Sequence, residues 1–483
     1  MHEPTPPRHL SDEEFRRAGY ALVDWLVDYR ARVEHLPVMP RVAPGDIRAG
    51  LPHAPPQSGE SFEAILADLR PLIEPGLMHW QSPNFFGYFP ANASPPAILG
   101  ELLSAGLGQQ GMLWQTSPAC TELESLVLDW LVTALALPAR FRSDGAGGGV
   151  IQDSASSATL CALLAARERA SDFAAREAGN PPDLVAYCST DTHSSLDKAM
   201  SIAGLGRARL RKIPTDATLR LDVDALARAM DEDARAGRHP FFVCATVGTT
   251  SALAIDPVAD IAPLAARHGA WLHVDAAMAG SAALCPELRF VNDGLEHADS
   301  YCFNPHKWLL TNFDCDCFYV ADREPLVRAL SVMPEYLRNA ASDSGAAIDY
   351  RDWQIPLGRR FRALKLWFVL RSYGLEGLQQ FVRHHLALTA ELEGLIVADN
   401  AFELLAPRTL NLLCFACRGD DALSRALLER VNTEGHLFIS HTVIGGRYCL
   451  RLCVGQTYTT RAHVLAAWQH LRAARAALTG ESP

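Results

Sequence analysis

Tyr301-Cys302-Phe303-Asn304-Pro305-His306-Lys307-Trp308-Leu309-Leu310 sets a lysine in the middle of an apolar run. Lysine is among the side chains least often buried, so its place there asks for a reason. Residues 301–303 read as a short strand, which puts Lys307 just past a strand end. An amine held out of water gives up its proton more readily and becomes a nucleophile for carbonyl compounds, which is how proteins capture an aldehyde cofactor such as pyridoxal phosphate. A strand-end lysine reaching solvent is the competing reading, and this segment alone leaves both open.

Outward from there the pattern is regular. Apolar strand candidates lie at 184–189, 241–247, 271–275 and 317–320, with helical patterns at 222–236 and 257–268. Such alternation predicts an α/β fold with a mainly parallel sheet, in which ligands collect beyond the carboxyl ends of the strands. His273-Val274-Asp275-Ala276-Ala277 ends one strand on a carboxylate. Asp275 precedes Lys307 by one strand-to-strand step. An aspartate there can keep a pyridinium nitrogen protonated, or it can simply cap a helix.

Three further strand ends carry polar chemistry. Gly145-Ala146-Gly147-Gly148-Gly149-Val150 runs into Ser154-Ala155-Ser156-Ser157 and a helix through Arg169, which reads as a phosphate cradle or as a flexible surface loop. His193, after the strand at 184–189, is placed to stack on a planar cofactor, act as acid–base, or serve only structure. Thr246-Val247-Gly248-Thr249-Thr250 is the third. The order cradle, histidine, threonines, aspartate, lysine outweighs any single member.

Near the amino end, Ser11 and Glu14 form a capping box ahead of Phe15, Ala18, Leu22, Trp25, Leu26, Tyr29 and Val33 at helical spacing. Residues 74–120 are rich in aromatics, glycine and proline, a composition suited to a pocket wall. A helix over 360–397, interrupted near Gly374, precedes strand candidates at 410–417, 437–443 and 448–454 and a helix at 461–478. Cys414 and Cys417 read as buried apolar cysteines, Arg418-Gly419-Asp420 as a turn, and His384-His385 as a solvated helix face.

Composition narrows the function. Lys and Arg number 44 against 55 Asp and Glu, for a net charge of −11, which argues against a nucleic-acid partner. No apolar run nears the ~20 residues of a membrane helix. Twelve scattered cysteines and a polar start point to the reducing cytoplasm.

The chain resembles the pyridoxal-phosphate-dependent aromatic-L-amino-acid decarboxylases, group II decarboxylases of fold type I, over nearly its whole length. The motifs are 304–308, 273–277, 154–156 and 191–195, joined by Thr116–Glu124 and by Trp353–Phe361. The resemblance implies an aspartate-aminotransferase-like fold with a mainly parallel seven-stranded sheet. It implies an N-terminal helical arm (1–93), a large cofactor domain (94–364) and a small C-terminal α+β domain (365–483). Lys307 is then the Schiff-base lysine, Asp275 the pyridinium partner and His193 the stacked ring. Ala277 covers the other face, and Ala155, Ser156, Thr250, Asn304 and His306 surround the phosphate. A homodimer with the active site at its interface is implied, with the arm packed across it, and a mobile loop near 330–348. In that loop Tyr336 matches the residue that protonates the substrate carbon. Aldehyde-forming relatives change this tyrosine to phenylalanine or change the stacking histidine, and both are kept here, so decarboxylation to amine and carbon dioxide is the expected outcome. Oxidative aldehyde synthesis, or a non-aromatic substrate, is the alternative.

Trp80, Tyr88, Phe89 and Pro90 match the family's aromatic pocket. Gly358 stands where serine is typical of histidine and plant tyrosine decarboxylases, which leaves room for a bulkier ring. Ala91, Gln110, Met112 and Met278 depart from the animal enzymes, favouring an indole or plain phenyl ring over a catechol among tryptophan, phenylalanine, tyrosine and dopa.

Overall fold

The computed structural model describes residues 9–332 and 347–481. Two compact units emerge. The smaller joins Met1–Phe85 to Arg425–Ile439 and Tyr458–Pro483; the larger comprises Phe86–Ser424 and Ser440–Thr457.

The larger unit holds a seven-stranded sheet built from β1 (Gly148–Gln152), β2 (Leu184–Ser189), β3 (Leu210–Ile213), β4 (His239–Thr246), β5 (Trp271–Asp275), β6 (Ser300–Phe303) and β7 (Asp316–Val320). Their order is β1-β7-β6-β5-β4-β2-β3. Strands β3, β2, β4, β5 and β6 run parallel, and β7 runs antiparallel between β6 and β1. This is the α/β architecture of fold type I expected from the sequence. Both faces are covered. Tyr187, Val243, Leu272 and Phe303 belong to one apolar cluster, and Ala186, Phe242, Trp271 and Cys302 to the other. Burial on both faces is why these strands read as continuous apolar runs. The helix Ala155–Ala170 packs on the second face through Ala158, Cys161, Ala162, Ala165 and Ala166, whose small side chains admit close approach.

A second sheet, antiparallel, is formed by β8 (Phe402–Leu404), β9 (Leu412–Cys417), β10 (Ser440–Ile444) and β11 (Arg447–Cys453) in the order β10-β11-β9-β8. The helix Arg362–Ala398 leads into it, bent at Gly374, where φ 62° and ψ 173° suit glycine. In the smaller unit, Ser11 caps the helix Asp12–Arg32 in the expected capping box.

Three expectations need correction. The Gly145–Val150 stretch does not line the cavity, and only Gly145 and Ala146 are exposed loop: Gly148 and Gly149 begin β1, and a Cβ on Gly149 would sit 2.8 Å from the Tyr319 ring. The glycines are there for close packing. β3 went unread because Arg211 and Lys212 give an edge strand polar character. His385 is not on a solvated face. It is buried, accepts a hydrogen bond from Trp308 Nε1 at 2.9 Å through Nδ1, and donates from Nε2 to the Gln456 carbonyl at 3.2 Å. Its neighbour His384 is exposed.

Candidate active site

The carboxyl ends of β4, β5 and β6 meet the first turn of the helix Ala155–Ala170 around a cavity of about 330 Å³. Lys307, Asp275, His193 and Ala277 line it, as do Ala155, Ser156, Thr250, Asn304 and His306. All nine residues expected at a cofactor are thus brought together by the fold.

Each is held by its own backbone neighbourhood. Asp275, at the end of β5, is 6% exposed, and its Oδ1 accepts the Ala277 N–H at 3.0 Å. The Ala277 carbonyl accepts the Asn304 N–H at 3.0 Å, and the Asn304 carbonyl accepts that of Lys307 at 2.9 Å. Asn92 donates its side-chain amide to the Lys307 carbonyl. The lysine turn is therefore pinned on both sides. Burial holds the Lys307 amine below its ordinary pKa, against the pull of Asp275. Lys307 Nζ lies 5.4 Å from the centre of the Phe89 ring, which also lines the cavity.

His306 accepts the Cys315 N–H at Nδ1, 3.0 Å, so its remaining proton sits on Nε2. Burial pushes its pKa down to about 3, with Lys307 adding to the effect. It is a neutral donor. The leading N–H groups of the helix at Ala155 and Ser156 have no carbonyl one turn behind them, and such an end favours an anion. Among the described residues, Asn304 Oδ1 is buried without a hydrogen-bond partner, a polar atom left open at the cavity. An amine, a strand-end carboxylate, a helix start and this orphaned amide fit pyridoxal phosphate in chemistry and in number. His193 lies exposed at the cavity, its Nδ1 accepting the Ser195 N–H at 3.2 Å.

The expected substrate residues divide. Phe89 and Met278 are cavity walls; Tyr88 and Pro90 flank Phe89 in sequence without lining the cavity. Trp80 packs on Phe85 in the smaller unit, ring centres 4.4 Å apart. Gln110 and Gly358 form a separate group near Met112: Gln110 Oε1 accepts the Arg359 N–H at 2.7 Å, and its Nε2 lies 3.2 Å from where a Cβ on Gly358 would be. Tyr336 and the loop residues 333–346 lie outside the described residues. Phe313, whose ring lies 4.3 Å from that of His306, lines the cavity and was missed. An exposed aromatic in a loop carries no sequence signal of its own.

The chain's likeness to characterised proteins agrees with this geometry. Residues 44–418 match the pyridoxal-dependent decarboxylase conserved domain. Tyrosine decarboxylase 4 of Petroselinum crispum is 45% identical, with 99% of this chain and 96% of the relative covered. A phenylacetaldehyde synthase of Arabidopsis thaliana is 46% identical over 95% of each. The solved structure of Oryza sativa TDC with PLP and tryptamine superposes with a TM-score of 0.96 at 42% identity, covering 98% of this chain and 100% of that one. This chain belongs to the pyridoxal-dependent decarboxylase family, among the aromatic-amino-acid carboxy-lyases that use pyridoxal phosphate.

Proposed function

We propose that the protein converts an aromatic L-amino acid to its amine and carbon dioxide, working as a cytoplasmic homodimer. The observation that carries this is the meeting of Lys307, Asp275 and His193 in one cavity with the Phe89 ring against it. Pyridoxal phosphate, when bound, supplies an electron sink for the pair released as carbon dioxide leaves. Lys307 provides the amine that anchors the cofactor, and its depressed pKa keeps that amine available. Asp275 holds a proton on the ring nitrogen by its negative charge. His193 and Ala277, which both line the cavity, would hold the cofactor's ring between them. The helix start at Ala155–Ser156, with Thr250, Asn304 and the His306 Nε2–H, binds the phosphate. Tyr336 delivers the proton to the substrate carbon, and its position decides the product.

Trp80, Tyr88, Phe89, Pro90, Gln110, Met112 and Gly358 shape the substrate side. Exposure of Gln110 and Gly358, apart from the cavity walls, supports their supply by the partner subunit. The absent Cβ of Gly358 favours an indole or plain phenyl ring. The division into an arm (1–93), a large domain (94–364) and a small domain (365–483) belongs to the same proposal, supported by the separate four-stranded sheet.

Incubation with tryptophan, phenylalanine, tyrosine and dopa tests the reading. Amine with equimolar carbon dioxide is expected, tryptophan or phenylalanine being preferred. The 46% identity to a phenylacetaldehyde synthase favours one alternative, aldehyde synthesis. Aldehyde and hydrogen peroxide in place of amine would establish it. Lys307→Ala is expected to lose the yellow covalent form of the cofactor.

A further inference from the structure

Asp316 is a buried acid that the chemistry above does not use. It stands at the start of β7, opposite Gln152 of β1, with no solvent exposure and, among the described residues, no hydrogen-bond partner for either carboxylate oxygen. Its cross-strand neighbour is engaged elsewhere: Gln152 donates to the Trp353 carbonyl at 3.2 Å and accepts from Cys161 Sγ at 3.7 Å. Strand alternation sets Asp316 on the same sheet face as Phe318, and Asp275 on the same face as Trp271; both apolar residues belong to the cluster under the helix Ala155–Ala170. The two acids are therefore two strands apart on one face; the register sets Asp275 level with Cys302 and Phe318, and Asp316 stands two residues further along β7, about 12 Å away between backbones. On β6 between them, the Cys302 thiol points to Asp275 Oδ1 and His273 Nε2, 3.9 Å from each.

The two carboxyls are not equivalent. Asp275 has the Ala277 N–H and a cavity to face; Asp316 has neither. An ionised carboxylate with no donor costs several kcal/mol to bury, whereas a neutral acid costs far less. We propose that Asp316 is a positioning residue of the cofactor site which holds a proton, and by staying uncharged leaves the negative charge beneath the cavity to Asp275. The surroundings agree. Burial raises the Asp316 carboxyl well above its ordinary range, with Asp275, Cys315 and Asp153 adding to the rise and Lys307 opposing it. Cys302 and Tyr301 from β6, Cys317 of β7 and Cys161 from the covering helix are further titratable groups close by, and burial keeps all four protonated. A second anion there would act only through its field, raising the basicity of the cofactor's ring nitrogen.

This inference rests on the assignment of Asp275 and Lys307 to the cofactor. Infrared difference spectra of the holoenzyme at neutral pH, wild type against Asp316→Asn, are expected to show a protonated-carboxyl band lost in the variant. The pH midpoint of the cofactor's visible absorbance should stay within about 0.3 units, since a neutral group replaces a neutral group. Failure to find the band in the difference, or a midpoint lowered by about one unit or more, overturns the proposal, because only removal of an anion disfavours the protonated cofactor. Asp316→Ser, which removes the acid without adding volume, gives the same readout if the amide variant does not fold. Persistence of the covalent colour in Lys307→Ala would instead overturn the cofactor assignment.

Discussion

Three histidines of the larger unit are held neutral by burial. His306 is pushed down to about 3, His273 to about 4 and His385 to about 4. Each has a defined hydrogen-bonding place: His273 Nδ1 lies 2.8 Å from Ser300 Oγ, His306 fixes the Cys315 N–H, and His385 fixes Trp308, the residue after Lys307. The unfolded chain binds protons at these sites near pH 6.5, and the folded chain does not until much lower. Stability is therefore full above about 6.5 and falls as pH drops toward 4, by at most about 4 kcal/mol per unit if all three titrate together. Thermal unfolding of the cofactor-free protein between pH 7 and 5 checks this; a midpoint that does not fall with pH would contradict it. Tyr336 makes a different prediction at the same scale. With the phenol gone, Tyr336→Phe should shift product from amine toward aldehyde, read by hydrogen peroxide released per carbon dioxide. Unchanged amine output removes Tyr336 from its role.

Between elements, one buried ion pair explains two sequence motifs at once. Glu124, in the helix Pro118–Ala134, accepts from Arg359 Nη2 at 2.7 Å and from the Ile151 N–H of β1 at 2.7 Å. Arg359 also donates to the Ile151 carbonyl at 2.9 Å and to Gln354 Oε1 at 2.9 Å. The conspicuous residues of 116–124 and 353–361 therefore hold the edge of the sheet, and the same arginine's backbone N–H holds Gln110. Arg359→Met leaves a buried carboxylate unpaired and should cost about 3–5 kcal/mol, measured by denaturant unfolding. Gln110 and Gly358 should then lose their order, raising KM more than it lowers kcat. The glycines of β1 show the opposite case. Their spacing looked like ligand chemistry, yet it serves the approach of Tyr319 and Trp353, because a glycine run carries no mark of what comes close to it.

At the scale of the molecule, the helix Asp12–Arg32 leaves Phe15 (67% exposed), Tyr20 and Val27 uncovered in a single chain. So does the helix Pro95–Leu107 in the larger unit with Leu99, Leu102 and Leu103. Apolar rows of this kind need a covering surface, which supports the proposed homodimer. Phe15→Asp with Val27→Asp is expected to yield monomer in sedimentation and to lower activity, with the larger unit's helix content kept; an unaltered dimer would place the interface elsewhere. By itself the sequence determined the parallel α/β core, the bend at Gly374, and which polar residues gather at the strand ends around one cavity. Those depend on local periodicity and on chemistry concentrated in short motifs. Only the tertiary structure decided that the β1 glycines pack instead of bind, that His385 is buried against Trp308, that Phe313 joins the cavity, and that Asp316 is buried with no hydrogen-bond partner among the described residues. Each of these depends on which distant residue approaches, a property of the packed chain that no local pattern encodes.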